Sequence, residues 1–298
     1  MVDLETQFHT LPSGQQVCFA EYGDPDGRPL YYFHGWPSSR LQGKLLHDIG
    51  CERGLRIISP DRPGIGKSPP QANRQLCDWP PLLSNLADAL GHDRFLVLGV
   101  SGGGPYALAA AHWLPDRVEA ATVVGGAPPL SEFPDKSALL FPYRLLLKLR
   151  PIAPAVMLPL LPISRYIASQ HPTDAPLRWF FRWVSPCDRE AINNHEDLQI
   201  IMGSFREGVI QGGTHVIRDA DIYTSDWDID FATITTPIEI WHGEQDRNLP
   251  ISMVREIAAR IPSAKTHWIE NEGHYSLPIN RSPEIIDSLL ELAAHQDR

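Results

Sequence analysis

Six short apolar runs, PLYYFHG (29–35), LRIISPDRPG (55–64), RFLVLGV (94–100), VEAATVVGG (118–126), TPIEIWHG (236–243) and KTHWIE (265–270), punctuate the chain. They limit what it can fold into more than any other feature. Each is rich in β-branched or aromatic residues and most end in Gly, Pro or polar residues, the mark of a strand. They are largely continuous in their apolar character rather than alternating, so both faces of the strands are expected to be covered. Segments with helical spacing separate them, at 41–51, 80–91, 105–115, 251–261 and 283–295. The stop after the second of these is Gly91. Two more strands are expected within 5–22, around the turn Pro12-Ser13-Gly14. Strands alternating with helices in this way predict an α/β fold, with a mostly parallel eight-stranded sheet flanked by helices on both faces.

The pattern breaks after Pro128. From there to Pro186, proline recurs among Leu, Phe, Trp and Tyr, and LLFPYRLLLKLR (139–150) and LRWFFRWV (177–184) read as short helices cut by proline. A linker does not carry so large an apolar load. Residues 128–225 are therefore expected to form a helical insertion, with 1–127 and 226–298 forming the core.

At 298 residues the chain can bury a large core, and 43% hydrophobic with 21% charged residues is ordinary for a globular protein. The formal net charge of −10 argues against nucleic acid or an anionic membrane as the main partner. Cys18, Cys51, Cys77 and Cys187 lack CxxC spacing, so no disulfide or zinc framework is expected. The N-terminus shows no signal-peptide core, and the most apolar stretch, 152–163, is interrupted by proline and well short of the roughly 20 residues that span a bilayer. These readings lead to the expectation of a soluble, cytoplasmic chain without a membrane span; a homodimer is compatible with them.

Between a predicted strand and a predicted helix lies Gly99-Val100-Ser101-Gly102-Gly103-Gly104. The dinucleotide pattern GxGxxG fails because Ser101 stands at its third position. GIGKS, ending in Gly66-Lys67-Ser68, resembles a phosphate loop, but position 61, where that loop needs glycine, is Asp61. GxSxG fits, and its strand–turn–helix setting is the one this motif requires. The sharp turn needs residues without side chains around Ser101, exposes its hydroxyl, and presents the Gly102 N–H at a helix N-terminus, where developing negative charge is favoured.

A serine nucleophile needs a base. His34 and His242 at strand ends read as structural hydrogen bonders, and His112 lies on a helix. His195 is followed by Glu196 but lacks the second histidine of a HExxH zinc site, so no metal is expected. His274, in NEGHYSLP just beyond the strand KTHWIE, lies where active sites of α/β sheets are built. WHGEQDRNLP offers Glu244 and Asp246 as the acid that orients it. Asp246, deeper in the loop, is the better placed; its alternative role is a capping aspartate. The order Ser101, Asp246, His274 is that of an α/β-hydrolase.

HGWP (34–37), DRPGIGKS (61–68), GVSGGG (99–104), WHGEQD (241–246) and EGHYS (272–276) together resemble the α/β-hydrolase superfamily over nearly the full length. The resemblance implies that 128–225 is a helical cap and that Trp36, which follows His-Gly, supplies the second oxyanion N–H beside Gly102. It gives Asp61 and Arg62 no catalytic part. Related loops occur in epoxide hydrolases and haloalkane dehalogenases, but these need an aspartate where this chain has Ser101.

The function expected is a cofactor-free serine hydrolase acting on an ester, thioester or lactone of a small to medium apolar molecule. Phe133, Phe141, Trp179 and Phe180 are candidates to line its pocket, although such residues often serve only to hold a cap to its core. The same residues could serve carbon–carbon bond hydrolysis or an aminopeptidase, whose substrate ammonium would need a cap carboxylate from among Glu132, Asp135, Asp174 and Glu196. A binding protein that keeps the fold without turnover is the alternative from another class.

Overall fold

The computed structural model describes residues 3–149, 166, 183–192 and 195–295. Eight strands form one sheet: β1 (Gln7–Thr10), β2 (Gln16–Gly23), β3 (Arg28–Phe33), β4 (Leu55–Pro60), β5 (Phe95–Val100), β6 (Val118–Val124), β7 (Ile238–Gly243) and β8 (Lys265–Ile269). Their order is β1-β2-β4-β3-β5-β6-β7-β8. Only the first two pairings, β1 with β2 and β2 with β4, are antiparallel. From β4 onward all neighbours run parallel. The carboxyl ends of β3, β5, β6, β7 and β8 therefore open on one edge.

Strand residues divide alternately between two apolar layers, as the two-residue period of a strand dictates. On one side Tyr31, Phe33, Phe95, Val97, Val123, Ile238 and Ile240 pack against helices α2 (Trp79–Ala89), α3 (Gly104–Trp113) and α8 (Ile251–Ala258). On the other, Leu30, Tyr32, Leu96, Leu98, Val124 and Trp241 pack against α1 (His47–Arg53) and α10 (Ser282–Ala294). β5 is buried at every residue, which accounts for its unbroken apolar sequence.

The helix expected over 41–51 is a 3-10 segment, Arg40–Leu46, that passes into α1. Its start is tied to Asp61, whose carboxylate accepts from the Arg40 backbone N–H at 2.7 Å and from Arg40 Nη1 at 2.8 Å. Gly54, in the left-handed region, closes α1. Asp61 also accepts from the Lys67 N–H at 2.9 Å, and a side chain at Gly66 would strike its carboxylate. The GIGKS stretch is thus wound around a buried aspartate.

Between β6 and β7 the chain forms α4 (Phe141–Leu149), as expected from its sequence, then α5 (Pro186–Ala191), α6 (His195–Gly208) and α7 (Gly213–Thr224), which the sequence reading did not place. Of the helix expected over 177–184, only Trp183 and Val184 fall among the described residues, and these two are not helical. A short helix, α9 (Ser276–Asn280), follows β8. Among the described residues, no helix is long and apolar enough to cross a membrane.

Candidate active site

β5 ends at Val100, and the next residue, Ser101, takes φ +52. For a non-glycine residue this left-handed backbone costs on the order of 1–3 kcal/mol and persists only where its surroundings enforce it. The surroundings here are other main chains. A side chain at Gly103 would strike the Phe33 carbonyl, and one at Gly99 would strike the Gly103 carbonyl and lie 2.9 Å from Ala107 Cβ. A Cβ on Gly102 would lie 2.7 Å from Trp36 Cβ and 3.0 Å from Trp36 N. The glycine run therefore lets the turn wedge between the end of β3 and the start of α3, and sets the backbones of Gly102 and Trp36 against each other.

Three side chains meet at this edge of the sheet. His274, in the loop after β8, has Nε2 at 2.8 Å from Ser101 Oγ. Its Nδ1 lies 2.8 Å from Asp246 Oδ2, in the loop after β7. Asp246 uses its other oxygen locally: Oδ1 accepts the N–H groups of Asn248 at 2.7 Å and Leu249 at 2.9 Å. The two roles considered for Asp246, orienting a histidine and capping a turn, are thus filled by different oxygens of one carboxylate. Glu244 points outward instead and pairs with Arg255 at 3.2 Å.

Electrostatics polarise this chain in one direction. Burial disfavours the charged form of His274, but the Asp246 carboxylate outweighs it and holds the imidazole above its ordinary value. Burial likewise opposes ionisation of Asp246, yet His274, the neighbouring His242 and the loop N–H groups keep it below the ordinary carboxylate value. The carboxylate is therefore ionised at neutral pH. The arrangement can take a proton from Ser101 Oγ onto Nε2 while Asp246 stabilises the resulting imidazolium.

His34 and His242 sit behind the site. His34 is fully buried, with Nδ1 2.9 Å from the Gly35 carbonyl oxygen, and burial together with Arg62 keeps it uncharged. His242 Nε2 lies 3.1 Å from the Leu249 carbonyl oxygen. Arg62, also buried, donates to the carbonyl oxygens of His34 at 2.6 Å and Gly35 at 2.9 Å. It thereby fixes the main chain leading into Trp36.

Sequence reasoning missed the residues between β6 and β7 that hold these loops. Asp219 on α7 is fully buried and accepts from Arg62 Nη2 at 2.8 Å, from Tyr106 Oη at 2.9 Å, and from Arg74. Tyr223, one turn further along α7, donates to the Gly102 carbonyl oxygen at 3.0 Å. Ser204 on α6 accepts the Ser39 N–H at 3.0 Å. The Trp36 indole N–H donates to the Val216 carbonyl oxygen at 2.9 Å. No local sequence signal marks these residues, because each acts on a loop far away in the chain.

The aromatic candidates separate. Phe133 is buried in the core layer beside α2, α3 and α8. Phe141 is 51% exposed, stacks on Trp183 at 6.4 Å, and lines a cleft of about 550 Å³ that reaches Asp246 and also includes Leu139, Arg144 and Arg247. Trp179 and Phe180 lie outside the described residues.

The α/β-hydrolase fold family model matches residues 28–280, and the chain belongs to that family. It is 27% identical over 267 residues to the pimeloyl-[acyl-carrier protein] methyl ester esterase of Aromatoleum aromaticum, covering 88% of this chain and 96% of the esterase. It is 29% identical to the proline iminopeptidase of Neisseria gonorrhoeae over 136 residues, a match that spans 42% of each protein. Among solved structures, an esterase from Exiguobacterium antarcticum superposes with a TM-score of 0.69 at 19% identity over 97% of this chain and 99% of that one. A bromoperoxidase from Bacillus anthracis superposes at 0.71 and 18% identity over 96% and 99%. At these identities the likeness is one of fold.

Proposed function

We propose that the protein is a serine hydrolase that cleaves an ester, thioester or lactone of a small to medium apolar molecule through an acyl-enzyme. The observation that carries this reading is the continuous chain Ser101 Oγ–His274 Nε2–Nδ1–Asp246 Oδ2, each link 2.8 Å, anchored on a serine with φ +52. Ser101 attacks the acyl carbon as His274 takes its proton. The N–H groups of Trp36 and Gly102 receive the oxyanion. His274 then gives its proton to the leaving alcohol or thiol, and water, activated by the same imidazole, releases the acid. The chemistry needs no metal or cofactor.

The segment between β6 and β7 serves in this reading as a cap, with Phe141 and Trp183 forming an apolar wall of the cleft beside Asp246. An ester is favoured over a peptide substrate because the pimeloyl ester esterase aligns along most of both chains, whereas the iminopeptidase match spans less than half of either.

The test is hydrolysis of p-nitrophenyl esters from acetyl to long acyl chains by the wild type and by Ser101→Ala. We expect turnover that falls by about 10⁴-fold or more in the mutant, the scale typical when such a nucleophile is removed. Folded wild type that cleaves none of the esters, or folded Ser101→Ala that turns over normally, overturns the reading.

A further inference from the structure

A second buried carboxylate stands against the loop that carries His274. Asp188, on α5 between β6 and β7, has no exposed surface. Its Oδ1 accepts the N–H of Tyr275 at 2.7 Å and of Ser276 at 2.9 Å, the two residues that follow His274. Ser276 Oγ in turn accepts the Gly273 N–H at 2.7 Å, so the loop closes around the carboxylate. At Gly273 a Cβ would lie 2.5 Å from each Asp188 oxygen. Asp188 is itself set by α5, where its N–H donates to the Ser185 side chain, the cap of that helix, at 3.2 Å.

Two features go beyond what holding a loop requires. Asparagine would accept the same two N–H groups without burying a charge. Moreover, Asp188 Oδ2 is buried and makes no hydrogen bond among the described residues, a costly condition for a carboxylate oxygen. A buried charge of this kind is paid for only if something nearby uses it, and the nearest group that gains positive charge in the reaction is the His274 imidazole.

We propose that Asp188 is a positioning residue for His274: it fixes the loop that aims the imidazole at Ser101, and its carboxylate supports the imidazolium in addition to the triad acid. This rests on the serine-hydrolase reading. Besides Ser101, the titratable groups that face His274 among the described residues are Asp246 after β7, His242 on β7, the adjoining Tyr275 and Asp188 from α5. Burial opposes the charged imidazole and both carboxylates favour it, with Asp246 the stronger. Removing the Asp188 charge thus makes His274 easier to deprotonate. Since the neutral imidazole is the working base, the acid limb of the pH profile moves to lower pH.

The test is the rate at which a fluorophosphonate modifies Ser101, followed by mass spectrometry between pH 5 and 9, in the wild type, Ser101→Ala, Asp188→Asn and Asp188→Ala. This probe reports on the Ser101–His274 pair whatever the natural substrate is. In Asp188→Asn, which keeps an acceptor, the plateau rate is expected within a few-fold of wild type while the acid-limb midpoint moves to lower pH. In Asp188→Ala the plateau rate is expected to fall about tenfold or more, because the imidazole loses its aim. A midpoint unchanged in Asp188→Asn overturns the role of the charge, and a wild-type rate in folded Asp188→Ala overturns the positioning. If Asp188→Ala does not fold, Asp188→Asn decides alone. Failure of the underlying reading looks different: the wild type is then not modified at Ser101.

Discussion

Replacing Asp219 by alanine should cost more stability than any other single truncation of a polar side chain near the site. The Asp219 carboxylate is fully buried and serves three partners: Arg62 through Nη2 at 2.8 Å and Nε at 3.1 Å, the Tyr106 hydroxyl at 2.9 Å, and Arg74. The side chains of Arg62 and Arg74 are only 1% and 8% exposed, so neither can turn to water when the carboxylate is removed. Arg62 would keep only neutral neighbours among the described residues, the His34 and Gly35 carbonyls and the face of the Tyr106 ring. Breaking a buried pair this way costs about 3–5 kcal/mol, and the stranded tyrosine hydroxyl adds about 1 kcal/mol. Against a typical total of about 5–15 kcal/mol, the loss is large. Equilibrium urea unfolding followed by tryptophan fluorescence measures it, with Tyr106→Phe as a control expected to cost only the smaller increment.

The same pair has a pH signature. Burial opposes ionisation of Asp219, but Arg62 and Arg74 outweigh it and hold the carboxyl far below its ordinary value of 3.8. A depressed folded-state value gives stability that is present above the unfolded value and lost as pH falls below it. Wild type should therefore lose stability below about pH 3.8 by an increment that Asp219→Ala has already lost. A cost under about 1 kcal/mol for Asp219→Ala, with an unchanged denaturant slope, would refute the claim that this carboxylate neutralises both arginines.

Three further outcomes are expected. Because Asp246 outweighs burial and holds His274 above 6.5, kcat/KM for an ester should lose activity as pH falls through a limb lying above that value, and a limb at pH 5.5 or below would count against the assignment. Asp246→Asn keeps an acceptor for the Asn248 and Leu249 N–H groups but favours the wrong imidazole tautomer, so kcat should drop by roughly 10³–10⁴-fold with little change in thermal stability; equal losses in both would point to a structural role alone. Gly103→Ala drives a methyl group into the Phe33 carbonyl, whereas Gly14→Ala meets nothing within 4 Å and suffers only from its φ of +84, so thermal melts should show the first to be the more damaging, by about 2 kcal/mol.

Strands β2 to β7 were legible in the sequence because each carries a run of buried residues, and burial writes itself into a short run of residue types; the edge strands β1 and β8 have no fully buried residue and were legible from a flanking turn and from β-branched and aromatic content. Ser101, Asp246 and His274 were legible for a related reason. Each lies in a loop directly after a readable strand, so the topology brings them to one edge. Choosing Asp246 over Glu244 rested on depth in the loop, and the pairing of Glu244 with Arg255 shows how a shift of two residues turns a carboxylate from the site to the surface. Helices α5, α6 and α7 were less legible. Their apolar faces are narrow because part of what they bury is polar: Asp188, Ser204 and Asp219.

Those polar residues act across distances that no local pattern encodes. Asp188 bonds a loop 87 residues away, Asp219 an arginine 157 away, and Ser204 a turn 165 away. Together they give the segment between β6 and β7 a grip on both sides of Ser101. Ser204, Asp219 and the Val216 carbonyl, which receives the Trp36 indole, hold the strand-end loop that leads through Trp36, while Asp188 holds the loop of His274. A lid that merely covered a finished site would meet it through apolar contacts, which slide and repack at modest cost. Directional bonds to buried charges do not slide, because every broken one strands a partner. The described helices of this segment are thus part of the frame that shapes the site, and deleting the segment should dismantle the alignment of Ser101 and His274 rather than expose it.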